Sequence, residues 1–185
     1  MALTGDVSGD VDVSGPVRIG ACTAADLAVL ERYLPTGRND VHTYHFGCQQ
    51  ADEAAYLIAW SEEAAVGHVV VTWAGFREEP ARLAVPQCPA IGYLQVTPAS
   101  RGKGVGSALV GAAEACIAAR GFRRAGLAVG IDNPAAARLY QRLGYQDTSV
   151  RCESQYTWYD DAGVGHDVTE MNLYLAKDLS GLIDP

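Results

Sequence analysis

A chain of 185 residues, 49% hydrophobic and 19% charged, has the size and composition of one soluble domain with a sizeable core. Its formal charge of −8 argues against a nucleic-acid binder, which needs a basic face to neutralise phosphates, and suits a cationic small molecule or peptide as partner. The five cysteines, at 22, 48, 88, 116 and 152, are odd in number and lack C-x-x-C or Cys/His spacing, so neither a zinc site nor a disulfide framework is expected. With no leader pattern and no apolar run of membrane length, a cytoplasmic protein is expected.

Residues 1–16 combine glycines and aspartates without an aromatic residue and read as a flexible acidic arm. A single domain is expected over 17–180, with 181–185 as a tail. Val17 to Ile19 reads as a short strand. Thr23 can cap a helix running to Leu34, with Leu27, Leu30, Tyr33 and Leu34 on one face and Pro35 as its stop. Residues 36–52 lack clean periodicity and read as a loop with a short helix. Ala55–Trp60 and Ala64–Trp73 form a hairpin pattern across Ser61-Glu62-Glu63, in which Gly67 marks a bulge or a close approach. The proline-rich and charged stretch 75–89 is an excursion between strands, one end of it near a cleft.

Ile91–Val96 is the next strand. It leads into L-Q-V-T-P-A-S-R-G-K-G-V-G, residues 94–106, and then into a helix pattern over Ser107–Arg120 whose stripe includes Ala108, Leu109, Ala112 and Cys116. Glycines at 102, 104 and 106 remove side-chain bulk where a helix begins, so main-chain N–H groups can converge on an anion beside Arg101 and Lys103. A nucleotide P-loop is excluded because Gly104 follows Lys103. A dinucleotide fingerprint fails at Ser107, and Arg123 and Arg124 stand where its acidic residue belongs. A glycine-rich turn without a ligand remains open on spacing alone.

Gly126–Val129 is a short strand, making with the preceding strand and helix the unit that brings a phosphate to the carboxyl edge of a parallel pair. Asn133, Pro134 and Gly144 then punctuate a helix as cap, first residue and stop, with Tyr140 on or beside its packed face. Tyr145–Arg151 and Thr169–Ala176 are strand patterns separated by turn signals at Asp160-Asp161 and Gly163–Gly165. Tyr156, Trp158 and Tyr159 are either core or a pocket wall. Asp160, Asp161, Asp167 and Glu170 are either an exposed acidic turn or an attraction for a cation.

R-G-K-G-V-G after L-Q-V-T-P resembles the R/Q-x-x-G-x-G/A acyl-coenzyme A loop of the GCN5-related N-acetyltransferase (GNAT) family. Asn133, Ala136, Leu139, Tyr140, Gly144 and Tyr145 are similar to its N-x-x-A-x-x-L-Y-x-x-x-G-F/Y segment. The resemblance implies an α/β fold with a mixed, mostly antiparallel sheet, splayed near Val96 and flanked by helices. It also implies acetyl transfer from acetyl-coenzyme A to a primary amine of a small molecule or peptide. By position, Leu94 and Val96 would offer main-chain groups to the pantetheine arm, while Arg101, Gly102, Lys103, Gly104, Val105, Gly106 and Ser107 would surround the diphosphate. Asn133 would contact the pantetheine or amine side, and Tyr140 would protonate the departing thiolate.

No metal is required, and a homodimer is compatible with the family. Residues 36–52 would help line the acceptor pocket, with Asp40, His42, Tyr44 and His45 as candidates. The strand I-G-Y-L-Q-V carries neither the glutamate nor the histidine that some members use as a base. Tyr93, His68, His42 and His45 are the alternatives, or no dedicated base at all. A non-catalytic acyl-coenzyme A sensor is the competing function.

Overall fold

The computed structural model describes residues 17–160 and 162–183; the expected acidic arm lies outside the described residues. The chain opens with β1 (Arg18–Ala21) and turns at Thr23, whose N–H and hydroxyl both donate to the Asp26 carboxylate at 2.7 and 2.8 Å. A 3-10 turn at Ala24–Asp26 then becomes α1 (Leu27–Tyr33), which buries Leu30. In the next stretch a second 3-10 turn, Gly37–Asn39, precedes a full helix, α2 (Val41–Gln50). The sequence pattern gave only a short helix there. Its fully buried positions are His42 and His45, with Phe46 and Cys48 partly buried against the core, so the centre of the periodicity that reveals a helix is written in residues counted as polar.

β2 (Ala54–Ser61) and β3 (Ala64–Thr72) form the expected hairpin and are buried on both faces. The excursion that follows contains α3 (Glu79–Ala84), with Pro80 in its first turn. β4 (Ala90–Val96) leads through a 3-10 turn at Pro98–Ser100 to α4 (Val105–Ala119). The helix starts two residues before the expected Ser107 because Gly104, at φ +86°, turns the chain straight into it. Then come β5 (Arg124–Gly130), α5 (Pro134–Arg142), β6 (Gln146–Tyr159), β7 (Gly165–Asp178) and a short α6 (Ser180–Ile183) where a tail was expected. β6 and β7 are fourteen residues each, so Gln155–Tyr159 and His166–Val168 lie in a long ribbon rather than in a loop.

The seven strands of the described residues join one sheet in the order β1-β2-β3-β4-β5-β7-β6, antiparallel except for β4 and β5. The mixed, mostly antiparallel α/β architecture is therefore as expected. On one face Leu57, Val69, Ile91, Leu127 and Leu175 pack against Leu109, Ala113 and Ile117 of α4 and against Tyr140 of α5. On the other face Tyr56, Ile58 and Val70 pack against Leu30 and Leu34, next to α2. Farther along that face Tyr174 packs with Phe76, Ala81 and Val85. Lys177 of β7 donates to the buried Glu114 of α4 at 2.7 Å, tying that helix to the sheet.

Two irregularities decide where the sheet opens. β4 carries an extra residue between the pairs Val70↔Gly92 and His68↔Gln95, with Tyr93 at φ +51° in the bulge. A bulge bends its strand, and β4 pairs with β5 only at Ala90↔Gly126 and Ile91↔Leu127 before the two part. The splay expected near Val96 is thus present. Gly67 on β3 makes the bend possible: a Cβ there would lie 2.7 Å from the Gln95 carbonyl oxygen and 3.1 Å from Leu109.

Candidate active site

The glycine loop sits on the α4 face of the parting. Gly102 and Gly104 adopt φ of +74° and +86°, and a Cβ at either would point into open space, so these glycines serve backbone shape and clearance for a ligand. The first helical bond of α4 runs from Ala108 N–H to Gly104 O at 3.0 Å. The amides of Val105, Gly106 and Ser107 thus come before it, at the positive end of a fifteen-residue helix. Arg101 Nε donates to Val96 O at 3.1 Å, which fastens the loop to the end of β4 and gives that carbonyl a partner. A Cβ on Gly106 would touch Leu94, Val96 and Leu139 at 3.8 to 3.9 Å, so β4, the start of α4 and α5 converge at this point. Main-chain donors, a cationic loop and open space together fit a diphosphate with its attached arm.

α5 brings two further expected residues. Asn133 caps it, its Oδ1 accepting from Ala136 N–H at 3.1 Å. Tyr140 is 8% exposed at the border of the main core, its ring edge-on to Tyr145 at 6.0 Å between centroids. Burial raises the Tyr140 phenol above its ordinary value, which keeps the proton on the oxygen at neutral pH.

The opposite face holds a groove of about 1550 Å³ between the bulge of β4 and the β6–β7 ribbon. Tyr93, Leu94 and Gln95 form one wall; Ser154 and Tyr156 of β6 with Glu170 and Asn172 of β7 form the other. Tyr156, Trp158 and Tyr159 are about half exposed and line this groove, so the wall reading holds rather than the core reading. Across its outer end the Asn39 side chain grips the Tyr159 backbone twice: Nδ2 donates to Tyr159 O at 2.8 Å, and Tyr159 N–H donates to Oδ1 at 2.9 Å.

The expected acceptor-side residues divide differently. Stretch 36–52 does line the groove, but through Thr36, Gly37, Asn39 and Val41. Asp40 and Tyr44 are exposed elsewhere, and His42 is buried. His42 Nε2 can only donate to Leu34 O (2.6 Å), so its Nδ1 accepts from the Tyr56 hydroxyl, also at 2.6 Å. His45 is buried with its ring 4.3 Å from that of Tyr93, and its Nε2 has no partner. His68 reaches the groove wall, bonded through Nε2 to Gln95 Oε1 at 3.2 Å, while its buried Nδ1 has no partner. Burial first, and His42 second, lower His45 and His68 to about 4, so both are neutral at pH 7.

Neither Asn39 nor Asn172 is given a role by the sequence. The only signal for Asn172 was its place one step from the half-buried Leu173, on the face it shares with Tyr174.

A model of the acetyltransferase (GNAT) family matches residues 26–145, which span both the glycine loop and α5. The chain belongs to the GNAT family. No curated protein sequence matches it significantly. Among solved structures, an N-acetyltransferase from Staphylococcus aureus Mu50 superposes with a TM-score of 0.65 at 16% identity, over 89% of this chain and 99% of that one. The ribosomal-protein-S18-alanine N-acetyltransferase of Escherichia coli gives 0.62 at 16%, over 89% and 94%. A phosphinothricin acetyltransferase of Sinorhizobium meliloti in complex with AcCoA gives 0.61 at 19%, over 88% of each chain. At these identities the likeness is one of GNAT fold alone. GNAT membership carries with it acetyl-coenzyme A-dependent acetyl transfer in general, as expected from the loop.

Proposed function

We propose that the protein transfers an acetyl group from acetyl-coenzyme A to a primary amine seated in the groove. The observation that carries this reading is the meeting of two unlike pockets at the β4–β5 parting. A cationic, amide-lined loop lies on one face of the sheet, and an acidic, aromatic groove lies on the other.

When bound, acetyl-coenzyme A supplies an acetyl group activated as a thioester. The amides of Val105, Gly106 and Ser107 hold its diphosphate, with Arg101 and Lys103 adding positive charge. Leu94 and Val96 align the arm along the end of β4, and Asn133, fixed as the cap of α5, borders the same channel. Main-chain donors beside the bulge face the carbonyl oxygen as negative charge grows on it. Tyr140 keeps its proton because it is buried, and donates it from Oη to the departing sulfur. The attacking amine gives up its proton to water in the open groove, so no side chain is assigned as base.

Tyr140→Phe tests the assignment. It should lower kcat at least about 100-fold, the usual contribution of a positioned acid, with the calorimetric affinity for acetyl-coenzyme A little changed. Equal turnover by the two proteins removes Tyr140 from the chemistry. Binding of acetyl-coenzyme A without acetylation of any amine supports a sensor instead.

A further inference from the structure

The groove is built for more than one positive charge. Glu78, Glu153 and Glu170 line it, with Asp160 already bonded to His166 Nε2 at 2.9 Å, and Arg77 is the one guanidinium among the described lining residues. Two of these carboxylates are mounted in the same way: Ser154 Oγ donates to Glu78 Oε1, and the Tyr156 hydroxyl donates to Glu170 Oε1, each at 2.9 Å. Ser154 and Tyr156 are two apart on β6, so the holding groups stand about 7 Å apart along the strand, on one face. Each carboxylate is thereby held at one oxygen, Oε1, by a hydroxyl of β6.

A separate observation points to a ligand in the same wall. Asn172 is 7% exposed and lines the groove, and its side-chain amide makes no hydrogen bond within the described residues. The amide of this largely buried side chain borders the groove without a protein partner, so its oxygen can accept from an amine there. Asn172 is two residues from Glu170 on β7 and so faces the same way. The ring of Tyr156 adds quadrupole attraction for a cation beside it, while Trp158 stacks on His166. The Asn39–Tyr159 bridge crosses the outer end, which favours a short acceptor over a protein terminus.

We infer that the acceptor is a small diamine: one amine reacts at the β4 bulge while a second, cationic amine is held by Glu170, Glu78 and the Asn172 amide. This rests on the amine-acetyltransferase reading above.

The test compares kcat/KM for 1,4-diaminobutane and 1,6-diaminohexane with butylamine and hexylamine at one pH and ionic strength. The diamines should be at least tenfold better, mainly through KM. In Glu170→Gln and Glu78→Gln this ratio should fall at least fivefold, with the calorimetric Kd for acetyl-coenzyme A within twofold of wild type as proof of an intact fold.

A ratio near one in the wild type, a ratio unchanged in both variants, or a preference for a peptide with an uncharged tail overturns the inference and leaves amine acetylation standing. Tight acetyl-coenzyme A binding with no acetylation across an amine library overturns both.

Discussion

Mild acidification should destabilise this protein through its buried histidines. His45 and His68 are held neutral, at about 4 against an ordinary 6.5, because burial penalises their charged forms. A histidine lowered in the folded state contributes stability that is complete above 6.5 and is lost as pH falls toward 4, since the unfolded chain takes up the proton first. Between pH 7 and pH 5 that linkage is worth about 2 kcal/mol for each ring, and less than twice that for the pair because both also feel His42. Against a typical total of about 5–15 kcal/mol the loss is large.

Urea unfolding at the two pH values measures it. The lowered carboxyls of Asp147 and Asp178 do not interfere, because their contributions are lost only below 3.8. His45→Phe, which keeps an aromatic ring against Tyr93, should remove about half of the pH dependence. A wild-type stability that is flat from pH 7 to pH 5 would refute the assignment of these rings as buried and neutral.

Gly67→Ala forces a methyl to 2.7 Å from Gln95 O, so it should cost about 1–3 kcal/mol in denaturant unfolding and lower activity by disturbing the β4 bulge. Lys177→Met leaves Glu114 buried without its cation and should cost about 3 kcal/mol; adding Glu114→Leu should restore part of that in a double-mutant cycle. Asn39→Ala removes both bonds to Tyr159 and should raise KM for the acceptor several-fold, read by steady-state kinetics, while the Kd for acetyl-coenzyme A stays put.

What could be read from the sequence follows from where its local rules apply. The loop from Arg101 to Gly106 and the helix from Pro134 were legible because glycine, proline and an Asn cap fix backbone shape at their own positions. α2 was obscured because its most deeply buried positions are His42 and His45, whose burial depends on partners 8 and 14 residues away and on Tyr93 of β4. The length of β6 and β7 was hidden by polar and aromatic side chains left exposed beyond the core, where alternation carries no burial signal. The groove was least legible of all. Glu170 with Asn172, Glu78 and Asn39 come from three distant segments, and nothing local to any of them announces the others.

The sheet that parts between β4 and β5 also has a consequence for traffic through the protein. On the proposed reading each reactant has its own doorway, one on either side of the strands, and the two paths meet at the slit. Neither need wait for the other to clear before entering, so crowding alone imposes no order of arrival or departure. Any compulsory sequence found in kinetics would have to come from motion of the loop or the ribbon.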